Sequence, residues 1–317
     1  MSSQELKADE SGLRLDSFLA ARLKLPRSHV KKMILEGRVL VDGRLVEAGS
    51  RLKDGSLVAV SSGERSWLNE IRPVFGSGVI WEDSDLLIFD KPPGLLTHPK
   101  SPGWLEKPEL AAEDQEANLA GLLYLERPSL RLVPRLGIAH RLDRGTSGVM
   151  AVAKTRESLS ILMAAFKART VLKVYRAIVK GSPKSSHATI EAPVGRRTGQ
   201  GRITADPLGK PALTEMRVLK RTSRAALVEA RPKTGRTHQI RAHLALWGHP
   251  VLGDPDFAPA DRRQGSVPLP PRPLLHAYEL AFEHPLRGKP LRFRAPLPKD
   301  FKAYWSALQL IREKPRS

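Results

Sequence analysis

The chain has 317 residues, of which 41% are hydrophobic, and this suits either one large globular domain or a medium domain with a small one. Its 53 Lys and Arg exceed its 33 Asp and Glu, and the formal net charge of +20 predicts a polyanionic partner, with nucleic acid as the first candidate. The absence of cysteine excludes disulfides, thiolate nucleophiles and cysteine-bound zinc, and it favours a cytoplasmic location.

Residues 1–12 are polar and partly acidic, so we predict a flexible N-terminus without a secretory signal. The sequence contains no stretch of about 18 apolar residues, the length that a membrane-spanning helix requires. We therefore predict no membrane partner.

Residues 13–62 are predicted to form a small domain of two helices and a short sheet. The first helix carries apolar residues at helical spacing and ends before Pro26. The second helix can end at Gly37 in a left-handed turn. Short β-type runs follow, and the Asp42-Gly43 pair between two of them is typical of a hairpin.

This small domain is basic, because residues 13–60 contain ten basic and five acidic residues. Three basic residues near the start of the second helix are candidates for binding phosphate: Arg27, Lys31 and Lys32. The Leu-Asp-Ser-Phe-Leu start and the Gly-Arg-Val-Leu-Val-Asp-Gly run resemble the ribosomal protein S-four-like (alpha-L) RNA-binding module. The alternative is a structural mini-domain whose charges are only solvated.

Residues 63–77 are predicted to be a linker, and residues 78–317 a second, larger domain. Short β-type runs dominate that domain, and several alternate as half-buried antiparallel strands do. We therefore predict an α+β fold built on a mostly antiparallel sheet. The predicted strands are 79–81, 86–89, 171–179, 215–219, 225–230 and 278–282, and the predicted helices are 157–168, 237–247 and 301–311.

Two stretches of the larger domain are rich in proline. Residues 101–135 are also rich in charge, and residues 261–273 contain four prolines within six positions of one another. We predict that both stretches are surface loops.

Metal and nucleotide cofactors have little support in the sequence. His238 and His243 are five residues apart without an acidic neighbour between them, and no His-Glu-x-x-His pattern occurs. Neither a phosphate-binding Gly-x-x-x-x-Gly-Lys loop nor a Gly-x-Gly-x-x-Gly run after a strand is present. We predict that the protein uses no cofactor and no metal.

One tract does carry groups suited to chemistry, namely His-Arg-Leu-Asp-Arg-Gly-Thr-Ser-Gly at 140–148. Arg141 and Arg144 flank Asp143 and favour its ionised form, and the glycines and hydroxyls that follow can form a tight turn before a strand. A surface Asp between arginines is more often a salt-bridge partner than a catalyst, so both interpretations remain open on these residues alone.

Two further stretches add candidates. Gly235–Leu244 opens a predicted helix with Arg236 near its positive N-terminal end, where an arginine suits a carboxylate or a phosphate. Lys173–Val179 is an alternating strand, in which Tyr175 can stack on a base within a basic cleft. An ordinary core tyrosine is the alternative interpretation of Tyr175.

Several motifs in the same order resemble the RluA-type pseudouridine synthases. The clearest is the tract at 140–148 with Ala-Lys-Thr at 153–155. The others are Leu-Ile-Phe-Asp-Lys-Pro-Pro-Gly-Leu-Leu-Thr-His-Pro at 87–99, Tyr175 in its strand, residues 234–254, and Leu-Leu-His-Ala at 274–277. The similarity covers nearly all of residues 78–296 and implies that residues 78–317 form the catalytic domain.

The resemblance also implies roles for individual residues. Asp143 would be the essential aspartate, Arg236 its ion-pair partner, and Tyr175 the aromatic residue that packs on the target uracil. Arg141 would help to displace or replace the flipped nucleotide. The chain departs from the family at Gly145, where many members have an acidic residue, and at Phe257-Ala258, which replaces a frequent Tyr-Gly. These departures bear on the details of substrate recognition and not on whether the protein is active.

The predicted function is isomerisation of specific uridines to pseudouridine in a structured RNA. Large-subunit ribosomal RNA is favoured and transfer RNA is the alternative substrate. Two other classes remain open: a non-catalytic RNA-binding protein of ribosome assembly, and a metal-dependent nuclease with Asp83, Asp85 and Asp90 as its nearest carboxylate cluster. No coiled-coil pattern is present, so we predict a monomer.

Overall fold

A computed structural model describes residues 3–35, 39–61, 66–196, 203–258, 263–264 and 267–310, and the chain divides into two compact units, residues 1–70 and 71–317. No helix among the described residues is long and apolar enough to cross a bilayer.

The first unit contains the two predicted helices and a small antiparallel sheet with strand order β1-β4-β2-β3. The core between them is formed by apolar side chains of both helices and of the central strands, among them Leu15, Leu19 and Val58. Gly37, the predicted helix end, lies outside the described residues. The elements are β1 (Ser3–Lys7), α1 (Leu15–Leu23), α2 (Arg27–Leu35), β2 (Val39–Val41), β3 (Arg44–Leu45) and β4 (Leu57–Ser61).

Two details of this unit bear on the predictions. The hairpin predicted at Asp42-Gly43 is confirmed, because both residues have positive φ and join β2 to β3. The prediction that the whole of residues 1–12 is flexible is wrong. Ser3–Lys7 pair with β4, and Ala8 is buried in the core, so this segment gains both strand hydrogen bonds and apolar contacts.

The predicted linker at 63–77 contains most of a helix, α3 (Ser66–Gly78), and the boundary between the two units falls inside it. Residues 63–65 of that segment lie outside the described part of the chain.

The second unit is built on a large sheet with strand order β5-β6-β7-β16-β8-β13-β12-β9, in which β17 also pairs with β16. Only the pairing of β7 with β16 is parallel among the described strands, so the predicted α+β class with a mostly antiparallel sheet is confirmed. The strands of this sheet are β5 (Val79–Glu82), β6 (Leu86–Lys91), β7 (Ser147–Ala153), β8 (Leu172–Lys180), β9 (His187–Glu191), β12 (Leu213–Arg221), β13 (Ala225–Pro232), β16 (Leu275–Glu283) and β17 (Pro290–Arg294).

Helices and two short hairpins surround the sheet. Helices α6 and α7 pack on one face and α8 packs on part of the other, each through an apolar side that the strands complement. The bounds are α4 (Glu109–Glu113), α5 (Leu119–Glu126), α6 (Arg156–Ala168), α7 (Gln239–Leu246) and α8 (Lys299–Gln309) for the helices, and β10 (Val194–Arg196), β11 (Ile203–Ala205), β14 (Arg263–Gln264) and β15 (Val267–Pro268) for the hairpins. Ile311, which the predicted last helix included, lies outside the described residues.

The prediction that residues 101–135 form a surface loop is wrong. This stretch contains α4, α5 and two 3-10 helices, each of which begins at a proline: 102–105 and 128–132. A further turn begins at Pro134, in which Arg135 and Leu136 have left-handed φ of 57° and 51°. Leu119, Leu122 and Leu123 are fully buried. The prolines start helical turns here because the first helical position needs no N–H donor. Residues 261–262 and 265–266 of the other proline-rich stretch lie outside the described residues, and 263–264 pair with 267–268.

Candidate active site

Asp143 lies in a turn that leads into β7, and its neighbours are fixed by hydrogen bonds. The Leu142 N–H donates to the Thr97 hydroxyl oxygen at 3.1 Å, and that hydroxyl donates to the Leu142 carbonyl at 2.9 Å. The Thr146 N–H donates to the Asp143 carbonyl at 3.0 Å and closes the turn. The backbone that presents the carboxylate is therefore held on both sides.

A fully buried lysine, Lys91 at the end of β6, supports the same turn. Its ammonium donates to the carbonyls of Pro92 and Leu95 at 2.9 and 2.8 Å and lies 3.4 Å from the carbonyl of Arg144. Burial lowers the pKa of Lys91 to about 7, although the negative charge of Asp143 opposes this shift. Lys91 was not among the predicted site residues; the available signal was a lysine two residues after the apolar run 86–89.

The glycines of the tract are required by close packing. A Cβ on Gly148, whose φ is +120°, would lie 2.2 Å from the Ala277 carbonyl oxygen in the neighbouring strand β16. A Cβ on Gly145 would lie 2.9 Å from Pro273. Gly145 is also fixed through its carbonyl, which accepts a 3.0 Å hydrogen bond from Arg272.

The carboxylate of Asp143 faces a cavity of about 560 Å³, and its side chain is 22% exposed. This volume lies in the range of small-molecule sites. Four predicted site residues line the cavity together: Arg141, Asp143, Tyr175 and Arg236. Further lining residues are Phe166, Lys167, Arg169, Lys173, His238 and Ile240. The cavity therefore combines one carboxylate, an aromatic ring and several cations.

Tyr175 reaches the cavity from β8, with Ala177 and Val179 on the same face of the strand as the sequence predicted. Burial raises the pKa of its hydroxyl, and the nearby charge of Asp143 raises it further. The ring is therefore uncharged at neutral pH.

The loop before α7 carries Arg236 and is held by the buried side chain of Gln239. The Gln239 carbonyl oxygen accepts from the Thr234 hydroxyl at 2.7 Å and from the Arg236 N–H at 3.0 Å. Its amide donates to the Leu213 carbonyl and to the Thr214 hydroxyl oxygen, both at 3.0 Å. Gln239 thus ties the loop to β12.

The predicted ion pair between Arg236 and Asp143 is not formed in the structure. The Arg236 Nε donates instead to the Pro211 carbonyl at 3.2 Å. The helix begins at Gln239 rather than at Thr237, which leaves Arg236 in the preceding loop. Arg236 still lines the cavity, and its role in the reaction stays a prediction.

His238 lies beside Asp143, with 3.8 Å between its Nε2 and the carboxylate. Its backbone is left-handed, with φ of 55°, and its ring meets Phe257 edge-on. Burial lowers the pKa of His238, and the charge of Asp143 only partly offsets this. The sequence offers His238 only as a possible metal ligand, because no local pattern reveals a contact across 95 residues.

The predicted RNA-binding residues lie in both units, Arg141 and Arg144 in the second and Arg27, Lys31 and Lys32 in the first. Arg141 is exposed and lines the cavity, whereas Arg144 is bound to the Gly94 carbonyl and to Glu116. In the first unit, Lys31 is exposed, and Arg27 forms an ion pair of 2.9 Å with the buried Asp16. The side chain of Lys32 lies outside the described part of the structure. These residues stay predictions as RNA contacts.

One group among the described residues could hold a metal ion by its donor set. Asp83, Asp85 and His284 place ligand atoms within 4.8 Å of one another, outside the residues that line the cavity. His284 lies 3.0 Å from Asp83, and the guanidinium of Arg287 lies within 3.5 Å of both carboxylates. Charge compensation within the protein already satisfies these carboxylates. Asp90, the third carboxylate of the nuclease interpretation, does not belong to the group.

Comparisons with known proteins define the class of protein. Residues 13–58 match the family model of the S4 domain, and residues 85–246 match that of RNA pseudouridylate synthase. The second match covers Asp143, Tyr175 and Arg236 together. The pattern is that of an RNA-modifying isomerase with an attached S4 domain.

Relatives match along nearly the whole chain. The ribosomal large subunit pseudouridine synthase D of Nitrosomonas europaea is 36% identical over 97% of this chain and 87% of its own length. An uncharacterized RNA pseudouridine synthase of Aquifex aeolicus is 36% identical over 96% of both chains. The chain belongs to the RNA pseudouridylate synthase family.

A solved structure supports the same fold. Human RNA pseudouridylate synthase domain containing 4 superposes with a TM-score of 0.55 and 24% identity, covering 78% of this chain and 98% of the human one.

Proposed function

We propose that this protein converts uridines of large-subunit ribosomal RNA to pseudouridine, with Asp143 as the essential carboxylate. The observation that carries this proposal is the cavity in which the carboxylate of Asp143, the ring of Tyr175 and the cations around them converge. Ribosomal RNA is favoured because several relatives that span nearly the whole chain are named ribosomal large subunit pseudouridine synthase D.

The reaction breaks the bond between ribose C1′ and uracil N1 and forms a bond between C1′ and C5. The proton of C5 is lost and N1 gains a proton, so the reaction is an isomerisation without net oxidation. Asp143 can assist either as a nucleophile at the sugar or by stabilising and deprotonating the separated intermediate. Both routes use the ionised carboxylate. The imidazole of His238 beside it is neutral at neutral pH, so it attracts the negative charge of Asp143 less strongly than an arginine would.

A uridine in a stacked helix must leave the stack to reach Asp143, at a cost of a few kcal/mol. The ring of Tyr175 can offset part of this cost by packing on the uracil, which is worth about 1–3 kcal/mol per base. Arg141, Arg236 and Lys173 line the cavity, where they can contact the phosphates on either side of the flipped nucleotide.

We further propose that residues 13–62 form the RNA-binding domain, 63–77 the linker and 78–317 the catalytic domain. The protein would act in the cytoplasm as a monomer and without a metal. The absence of cysteine supports the location. A chelator that abolished turnover would contradict the metal-independent reaction.

The direct test replaces Asp143 by Asn, which keeps the shape of the side chain and removes its charge. We expect no detectable pseudouridine in a large-subunit ribosomal RNA fragment, with RNA affinity within about threefold of wild type because the cations that bind phosphate remain. Asp206→Asn, outside the cavity, is the matched control and should leave turnover unchanged.

Normal turnover of Asp143→Asn would exclude Asp143 from the mechanism. Pseudouridine in transfer RNA but not in ribosomal RNA would replace the proposed substrate and keep the chemistry. RNA binding by the wild type without any pseudouridine in either RNA would favour the non-catalytic assembly protein.

A further inference from the structure

The face of the large sheet opposite the cavity carries a row of arginines that the proposed reaction does not use. Side chains alternate along a strand, so Arg176, next to Tyr175 in β8, points to this opposite face. The pairing of the strands brings further basic residues to it, because Arg217 lies opposite Glu229 and Arg294 lies opposite Glu279. We name this surface the arginine face, and its residues are Arg176, Arg217, Arg231, Tyr278, Arg292 and Arg294.

Two buried glutamates hold these arginines in place. Glu229 is 4% exposed and forms ion pairs with Arg176 at 2.9 Å, Arg217 at 3.2 Å and Arg231 at 2.9 Å. Glu279 is 7% exposed and lies 2.6 Å from Arg294 and 3.4 Å from Arg292. The carboxylates are covered, whereas four of the guanidinium side chains are between 46% and 59% exposed. A partner that binds this surface therefore contacts the guanidinium groups and not the carboxylates.

Tyr278 joins the two clusters. Its ring centroid lies 4.7 Å from the guanidinium of Arg176 and 5.9 Å from that of Arg294, which are distances of cation–π contacts. The network from Glu229 to Glu279 is thus continuous across β13, β8, β16 and β17. Guanidiniums fixed by packing and ion pairs lose less side-chain entropy on binding than free ones.

The charge of the surface favours a polyanion. Five arginines face two glutamates, so the network has a surplus of three positive charges beyond what its ion pairs need. A cleft of about 370 Å³ opens beside Arg217 and Arg231 and gives access to them; Glu215 also lines it, and Lys233 offsets the charge of that carboxylate at 2.9 Å. Arginine suits this task because its planar fork contacts two phosphate oxygens at once.

In the described part of the chain, this surface offers a protein partner no fully exposed apolar anchor, because its one aromatic residue, Tyr278, is half-buried and in contact with Arg176 and Arg294. Among the described residues, none of the large apolar side chains that are exposed belongs to β8, β9, β12, β13, β16 or β17. Protein interfaces depend on such anchors, whereas contacts to a phosphate backbone do not.

We propose that the arginine face is a second RNA-binding surface, which contacts the phosphate backbone of the substrate RNA at a distance from the uridine in the cavity. The proposal rests on the proposed function only in taking RNA as the substrate. A large folded RNA can contact both faces of the sheet, whereas a short stem-loop reaches the cavity alone.

The test compares two double variants in the full-length protein: Arg217→Gln with Arg231→Gln, and Arg292→Gln with Arg294→Gln. The control, Lys107→Gln with Arg156→Gln, removes the same charge from exposed positions elsewhere. Each protein binds a multi-helix fragment of large-subunit ribosomal RNA and a short stem-loop cut from it, across a series of salt concentrations. A urea unfolding curve for each protein checks the fold, and if one pair of substitutions disturbs it, the other pair decides.

We expect each arginine-face variant to bind the long RNA about tenfold more weakly. The slope of log affinity against log salt should fall by about 2, because each phosphate that is no longer neutralised lowers it by about one unit. Binding and turnover of the stem-loop should match wild type, and the control should change long-RNA affinity less than twofold. Replacement of the same arginines by lysine should restore the salt slope, because the charge returns, but only part of the affinity, because lysine lacks the planar fork.

Wild-type affinity and salt slope in both double variants would overturn the proposal. An equal loss in the control would also overturn it, since the effect would then follow net charge alone. Binding is measured without turnover, so a failure to form pseudouridine would count against the proposed function and not against this surface.

Discussion

Tyr175 supplies the cavity with an aromatic ring whose hydroxyl stays protonated, because burial and the charge of Asp143 both raise its pKa. If the ring packs on the uracil, its faces matter and its hydroxyl does not. We expect Tyr175→Phe to keep turnover within about threefold, and Tyr175→Ala to lose about 10- to 100-fold, the equivalent of about 1–3 kcal/mol of stacking. Single-turnover assays measure this step. Equal loss in both variants would give the hydroxyl a chemical role instead.

His276 is fully buried in β16 as the neutral imidazole. Its Nε2–H donates to the Ala295 carbonyl at 3.2 Å, and its Nδ1 accepts from the Ser147 hydroxyl at 3.0 Å. Burial lowers the pKa of His276 to about 4. Between this value and the pKa of about 6.5 in an unfolded chain, the unfolded state binds more protons, so stability falls as the pH falls.

We therefore expect the wild type to lose about 2 kcal/mol of unfolding free energy between pH 7 and pH 5 through this one group. His276→Gln keeps a neutral amide at the site and should lose that much less over the same range. Urea unfolding curves of both proteins at the two pH values measure the difference. The same pH dependence in both proteins would show that His276 is not the group responsible.

At the scale of elements, Gly148 is where β7 meets β16 in the parallel pair. Gly148→Ala would place a Cβ 2.2 Å from the Ala277 carbonyl oxygen and keep a φ that L residues avoid. We expect a loss of stability of at least about 2 kcal/mol, and a loss of turnover because the strand follows the turn of Asp143. Gly235→Ala is the stability control, since nothing lies within 4 Å of its Cβ. Equal unfolding midpoints for both variants would contradict this packing argument.

The elements also show what the sequence could predict and what it could not. The strands and helices with regular apolar spacing, such as β8 and α6, were predicted to within two residues at either end. The prolines of residues 101–135 predict loops, but in the structure several of them begin helical turns, and the apolar run from Leu119 to Leu123 forms a buried helix. The loop that carries Arg236 and His238 is held by hydrogen bonds from Gln239 to Leu213 and Thr214 of β12. A local sequence pattern does not specify such a long-range contact.

At the scale of the whole molecule, charge is distributed over both units. Residues 13–60 carry an excess of five positive charges, whereas the chain has an excess of twenty. The S4 domain therefore holds a minority of the charge that RNA can neutralise, and the cavity and the arginine face account for part of the remainder. Affinity should accordingly depend on both units, whereas the chemistry depends on the second.

Removal of residues 1–65 separates these contributions, because every residue that lines the cavity lies in the second unit. We expect weaker binding of a ribosomal RNA fragment and a shallower salt dependence, since the slope falls by about 0.9 for each phosphate that the shortened chain no longer neutralises. The rate at saturating RNA should stay within about threefold of the full-length protein. Unfolding and binding curves measured on both proteins show whether the shortened chain is folded. Equal affinity and equal salt slope would mean that the S4 domain does not contact this RNA.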